Sequence, residues 1–142
     1  MPIQRYKQKM KTKTKILLLI ISLSVLIASC SKEEGEGGTS SITGKIYVIN
    51  YNAEFTDIKD SGYAQEENVY IIYGDNEVYD DDFDTNYDGT YLFQHLRKGD
   101  YTIFVYSKNL NPPHTPKTPV MGKVSITENH QEVELEDIVI YN

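Results

Sequence analysis

From Ile42 to Asn142, apolar and polar residues alternate in short runs separated by turn residues, and no stretch keeps a helical period. The clearest part lies between Asp84 and Tyr106. There Gly89, Tyr91, Phe93, Leu96, Gly99, Tyr101, Ile103 and Val105 alternate with polar neighbours on both sides of an Arg97-Lys98-Gly99-Asp100 corner. This period of two predicts a pair of half-buried strands, the first opened by the turn-forming Asp88-Gly89. The same reading gives a first strand over Ile42 to Asn50, with Ile42, Ile46 and Val48 on one face and a bulge at Gly44. Asn68 to Tyr73 (NVYIIY) follows, then a weak strand around Glu77 to Asp82. Val120 to Thr127 and Glu132 to Tyr141 complete the set, the latter with a phase shift near Asp137. Ala53 to Glu67 is polar and irregular, and the prolines between Asn109 and Pro119 impose an extended loop. The expected fold is all-β, a seven-stranded antiparallel sandwich of immunoglobulin-like type.

Ahead of that pattern the chain changes character. Met1 to Lys15 is basic and polar, and Ile16 to Ile27 is almost wholly aliphatic. A dozen apolar residues fall short of the roughly 20 that a spanning helix needs, which favours a removable signal segment over an uncleaved anchor helix. Leu26-Ile27-Ala28-Ser29-Cys30 resembles the lipobox of bacterial lipoproteins. That resemblance implies cleavage before Cys30, lipid chains on Cys30 and a membrane partner reached through the anchor. Ser31-Lys32-Glu33-Glu34 is similar to the acidic surface-export signal of Bacteroidota lipoproteins, which implies an outer-membrane protein facing the cell surface; a plain solvated linker is the other reading. Gly35 to Ser41 reads as a flexible tether. The organisation is therefore 1–29 signal peptide, 30–41 lipidated cysteine and linker, and 42–142 sandwich.

Charge and cysteine content narrow the partners. Residues 30–142 carry eight of the fourteen Lys and Arg and all twenty-one acids, a formal charge of −13. Such a surface repels nucleic acid. A single cysteine forms no intramolecular disulfide, and a domain of about a hundred residues buries enough surface to fold without metal staples.

Residues Gly89 to Val105, read as G-x-Y-x-F-x-x-L-x-x-G-x-Y-x-I-x-V, also resemble carboxypeptidase regulatory-like and Cna B-type domains. The resemblance implies a transthyretin-like sandwich with an accessory, adhesive or structural role and no catalytic residues. In the Cna B-type group a strand lysine can bond to an asparagine of the last strand, and Lys45 with Asn142 are the positions that this would use.

Candidate chemistry is sparse. Seven acids between Asp75 and Asp88 lack any intervening Lys or Arg. Within them Asp84-x-Asn86-x-Asp88-Gly89 matches the first half of a calcium loop, with His95 where a bidentate glutamate belongs; weak calcium binding and a solvated acidic edge are the two readings. His95, His114 and His130 lack metal-ligand spacing. No G-x-S-x-G elbow or phosphate loop is present, so no enzyme class is supported. Tyr91 and Tyr101 should lie in the core, Tyr101 as a tyrosine corner. Tyr70, Tyr106 and Tyr47 should face outward, either as a contact surface for a protein or glycan or simply as strand-forming residues. The expectation is a non-enzymatic envelope protein with a structural or adhesive role; a glycan- or ligand-binding lipoprotein of a nutrient-uptake system is the alternative.

Overall fold

A computed structural model describes residues 33–142, so the signal segment, Cys30, Ser31 and Lys32 lie outside the described residues. The described chain is all-β and contains nine strands. They are β1 (Glu36–Tyr51), β2 (Ile58–Tyr63), β3 (Asn68–Tyr73), β4 (Asp81–Asp84), β5 (Thr90–Leu96), β6 (Gly99–Ser107), β7 (Thr118–Ile126), β8 (Glu132–Glu134) and β9 (Ile138–Tyr141). Two sheets form the sandwich. One runs β4-β3-β6-β7, antiparallel throughout. The other is built around β1, which pairs antiparallel with β2 and β5 and parallel with β8 and β9.

The core follows from the alternation. Val69 and Ile71 of β3 and Tyr101, Ile103 and Val105 of β6 close on Ile42, Ile46, Tyr91, Phe93, Ile138 and Ile140 of the β1 sheet. Burying such side chains stabilises the fold by about 1.5–3 kcal/mol each, which offsets the entropy of ordering the chain. Strands β5 and β6 belong to different sheets, so Arg97-Lys98 is a corner that carries the chain from one layer to the other.

The expected seven antiparallel strands are nine, with β8 and β9 parallel to β1, because short segments such as β2 and β8 pair through their backbones without a buried apolar face, and further expectations are corrected. Residues 35–41 are not a free tether, because β1 begins at Glu36 and both Gly35 and Ser40 are buried. The glycines there permit close approach: a Cβ on Gly38 would lie 1.9 Å from the Leu96 carbonyl oxygen. The polar stretch before Glu67 contains β2, whose sequence IKDSGY is almost wholly exposed. An edge strand held by backbone pairing needs no apolar face, and its charges discourage edge-to-edge association. The strand placed at Glu77 to Asp82 lies instead at Asp81–Asp84, since Asp80 is taken up in the preceding turn, where its carboxylate accepts the Tyr73 N–H at 2.7 Å. The span Glu132 to Tyr141 is two strands, broken at the residues where the phase shift falls.

Gly44 is not a bulge. Its register with Tyr91 is continuous, and a Cβ there would sit 2.4 Å from the Tyr91 hydroxyl. The glycine makes room for a ring crossing the strand.

An aromatic outer face as the candidate functional site

The outward residues of the β4-β3-β6-β7 sheet line up by register. Asp82 of β4 stands opposite Tyr70 of β3, Tyr70 opposite Phe104 of β6, and Phe104 opposite Met121 of β7. The inward positions of β3 and β6 are fixed by the core, so the period of two leaves Tyr70, Phe104 and Tyr106 on the solvent side.

These rings pack on one another. Tyr70 stacks on Phe104 with centroids 4.9 Å apart and planes 15° from parallel. Tyr79 meets Tyr70 edge-on at 4.8 Å, and Tyr106 meets Tyr70 at 5.6 Å and Phe104 at 5.5 Å. Phe104 is thereby buried although it faces outward, while Tyr79, Tyr106 and Met121 are 47 %, 43 % and 56 % exposed. Burial, followed by Tyr79 and Asp82, raises the pKa of the Tyr70 phenol. The patch is apolar at its centre and acidic along β4, where Asp82 accepts from the Asn68 amide at 3.1 Å.

The tyrosine expectations separate here. Tyr91 and Tyr101 are buried, as the alternation requires. Tyr101 is a tyrosine corner: its hydroxyl donates to the Arg97 carbonyl oxygen at 2.7 Å. Tyr70 and Tyr106 come together on the outer face, whereas Tyr47 lies on the other sheet, edge-on to Tyr63 at 5.4 Å. Sequence reasoning passed over Phe104, Tyr79 and Met121. Phe104 was readable from its phase between Ile103 and Val105; Tyr79 sits in a turn where no phase applies.

Among the other sequence candidates, Asp84 ends β4 and is exposed, and Asn86 and Asp88 lie in the connection to β5. The Asn86 N–H donates to the Thr90 carbonyl, and the Asp88 carboxylate accepts the Thr90 N–H at 3.2 Å. Those bonds to Thr90, helped by Lys45 at 3.9 Å, hold the Asp88 carboxyl below its ordinary pKa. Among the described residues no three His, Cys, Asp or Glu side chains converge as a metal group. Lys45 lies over the Tyr63 ring at 4.8 Å, while the Asn142 backbone bonds to Ile49 and Tyr51 further along β1, so the structure does not bring the Lys45 and Asn142 pair together. Glu33 is exposed and Glu34 half-buried at the start of the described chain. His114 stacks on Phe55 at 3.9 Å, a contact between two loops.

A groove of about 520 Å³ opens between β7 and the β8–β9 connection, lined by Val120, Gly122, Lys123, Leu135, Asp137 and Ile138 among others. It contains neither tyrosine nor histidine.

No family model matches the sequence, and no curated protein sequence matches it. Among solved structures, the chain is similar to a Pseudomonas aeruginosa protein described as a "putative carbohydrate binding protein", with a TM-score of 0.45 and 13 % identity over 76 % of this chain and 91 % of that one.

Proposed function

We propose that the protein is a non-enzymatic, lipid-anchored envelope protein, displayed at the cell surface, whose sandwich is an attachment module with the outer face of the β4-β3-β6-β7 sheet as its contact surface. The observation that carries this reading is the aromatic cluster of Tyr70, Tyr79, Phe104 and Tyr106, with Met121, left on solvent by a sheet whose other side already supplies the core. Contiguous apolar surface rimmed by polar groups is characteristic of interaction sites, and Tyr, Phe and Met are enriched in their centres. The envelope location rests on the lipobox-like Leu26 to Cys30 and the acidic signal after it.

A protein partner fits better than a glycan. Sugars pack flat against free aromatic faces, whereas here Tyr70 spends one face on Phe104 and the neighbouring rings close in edge-on. Tyr70 and Tyr106 stand on the face of a sheet, and the groove beside β7 contains no tyrosine. With Asp82 and Asp84 along one border, the complementary surface has an apolar centre and a basic margin.

Site-specific photo-crosslinking in intact cells tests this. A crosslinker in place of Tyr106 should give a discrete protein adduct, and one in place of Lys59 on β2 should give none. Adducts equal at both positions, or glycan adducts alone at position 106, would contradict the assignment.

A further inference from the structure

The segment read as a tether is fastened to the domain. Gly35 is buried, its N–H donates to the Tyr101 hydroxyl at 3.0 Å, and its carbonyl oxygen accepts the Arg97 N–H at 2.8 Å. Glu36 pairs with Leu96. The Glu34 side chain lies across Gly99 and Gly74, so closely that a Cβ on Gly99 would fall 1.9 Å from Glu34 Cγ. Arg97 Nη1 donates to the Glu33 carbonyl at 3.4 Å. The first described residues are thus docked on the β5–β6 corner.

We propose that this docking makes the β5–β6 corner, Leu96 to Gly99, the membrane-facing pole of the domain, so that the sandwich stands on end at the bilayer instead of swinging on a tether. The inference rests on the reading above that Cys30 carries the lipid. Between Cys30 and Glu34 lie Ser31, Lys32 and Glu33. Four Cα steps reach at most about 14 Å even when fully extended. An acylated Cys30 is confined to the interface, so the corner stays within that distance of it.

The far pole is well separated. Strand β1 runs from the docked segment to Tyr51, and at about 3.3 Å per residue the span from Ser40 to Tyr51 covers roughly 35 Å. The loop of residues 52–57 therefore lies far from the bilayer while Lys98, which is exposed, lies beside it. The corner carries both signs of charge, with Arg97 and Lys98 beside Glu33, Glu34 and Asp100. Its partner is the headgroup layer, reached because the chain is short and not because of net charge. With the strands upright, the aromatic face is presented sideways, along the membrane plane, where it meets other envelope proteins.

The full lipidated protein in vesicles with nitroxide-headgroup lipids provides the test. With the native cysteine acylated, a fluorophore is placed by Lys98→Cys or, at the far loop, by Ala53→Cys. The probe at position 98 should be quenched several-fold more strongly than the one at position 53. Inserting ten Gly/Ser residues between Lys32 and Glu33, outside the sandwich, should abolish the difference. Equal quenching at the two positions in a lipidated, membrane-bound protein, or a difference that survives the insertion, overturns the orientation alone. A protein that is neither lipidated nor membrane-bound overturns both this inference and the envelope reading.

Discussion

The Tyr101 hydroxyl accepts the backbone N–H of Gly35 at 3.0 Å, and by this bond a glycine from a stretch that reads as linker becomes part of the domain. The same hydroxyl donates to the Arg97 carbonyl, so one oxygen fastens the N-terminal segment and the β5–β6 corner together. Tyr101→Phe keeps the ring and leaves two backbone groups without this partner. The expected cost is about 1–3 kcal/mol in chemical denaturation, with earlier proteolytic cleavage near Gly35. Unchanged stability and unchanged cleavage would show that the segment holds by pairing with β5 alone.

Tyr91 gives the opposite expectation. It is fully buried, and its hydroxyl has no hydrogen-bond partner among the described residues. Tyr91→Phe removes an unsatisfied polar atom and should be neutral or stabilising by up to about 2 kcal/mol. Gly44→Ala should destabilise the wild type, because its new methyl meets that hydroxyl, and should cost less in the Tyr91→Phe background. A double-mutant cycle measures the coupling. Strict additivity of the two changes would contradict the contact.

The legible parts of the fold are those where one face is dry. Tyr101, Ile103 and Val105 announce β6 because their neighbours are wet, and NVYIIY announces β3. Strand β2 is wet on nearly all sides, so IKDSGY carries no periodic signal and only its pairing along β1, from Tyr47 with Tyr63 to Tyr51 with Ile58, defines it. Residues 35–40 were hidden for another reason. Glycine is the same letter whether it gives freedom or lets backbones touch, and the contact of Gly38 with Leu96 is visible only in three dimensions. For the outer face, the outward direction of Tyr70 and Tyr106 was readable from phase. Their closing over Phe104 depends on the β3–β6 register, which no local pattern encodes.

Alkaline pH should act through the buried phenols. Burial, reinforced by Asp81 and Glu36, pushes Tyr73 up to about 12 from its ordinary 10.0, and burial likewise raises Tyr91 and Tyr101. A group whose folded pKa lies above its unfolded one contributes stability that is complete below the unfolded value and lost as pH rises through the folded one. Melting temperature should therefore be insensitive to these groups below pH 10 and fall between 10 and 12, with the last increment of tyrosinate absorbance rising together with unfolding. Complete ionisation of the tyrosines in a still-folded protein near pH 10 would contradict the burial of these rings.

The acidic stretch should behave as a solvated edge. Asp88 is engaged with Thr90 and Lys45, and Asp84 lies exposed at the end of β4. Calcium at millimolar concentration should raise the melting temperature no more than sodium at matched ionic strength. A saturable shift specific to calcium, lost in Asp84→Asn, would establish an ion site there.

The proposed contact face is tested by Tyr106→Ser combined with Met121→Ser in the full-length protein. Both residues are largely exposed, so the melting temperature should stay within about 3 °C of wild type. Cell attachment, measured against the same cells expressing Lys59→Ser and Glu54→Ser as a matched surface control outside that sheet, should fall at least about tenfold, the equivalent of about 1.4 kcal/mol of lost contact. Wild-type attachment by a stably folded double variant would contradict the claim that this face is what the domain presents to its partner.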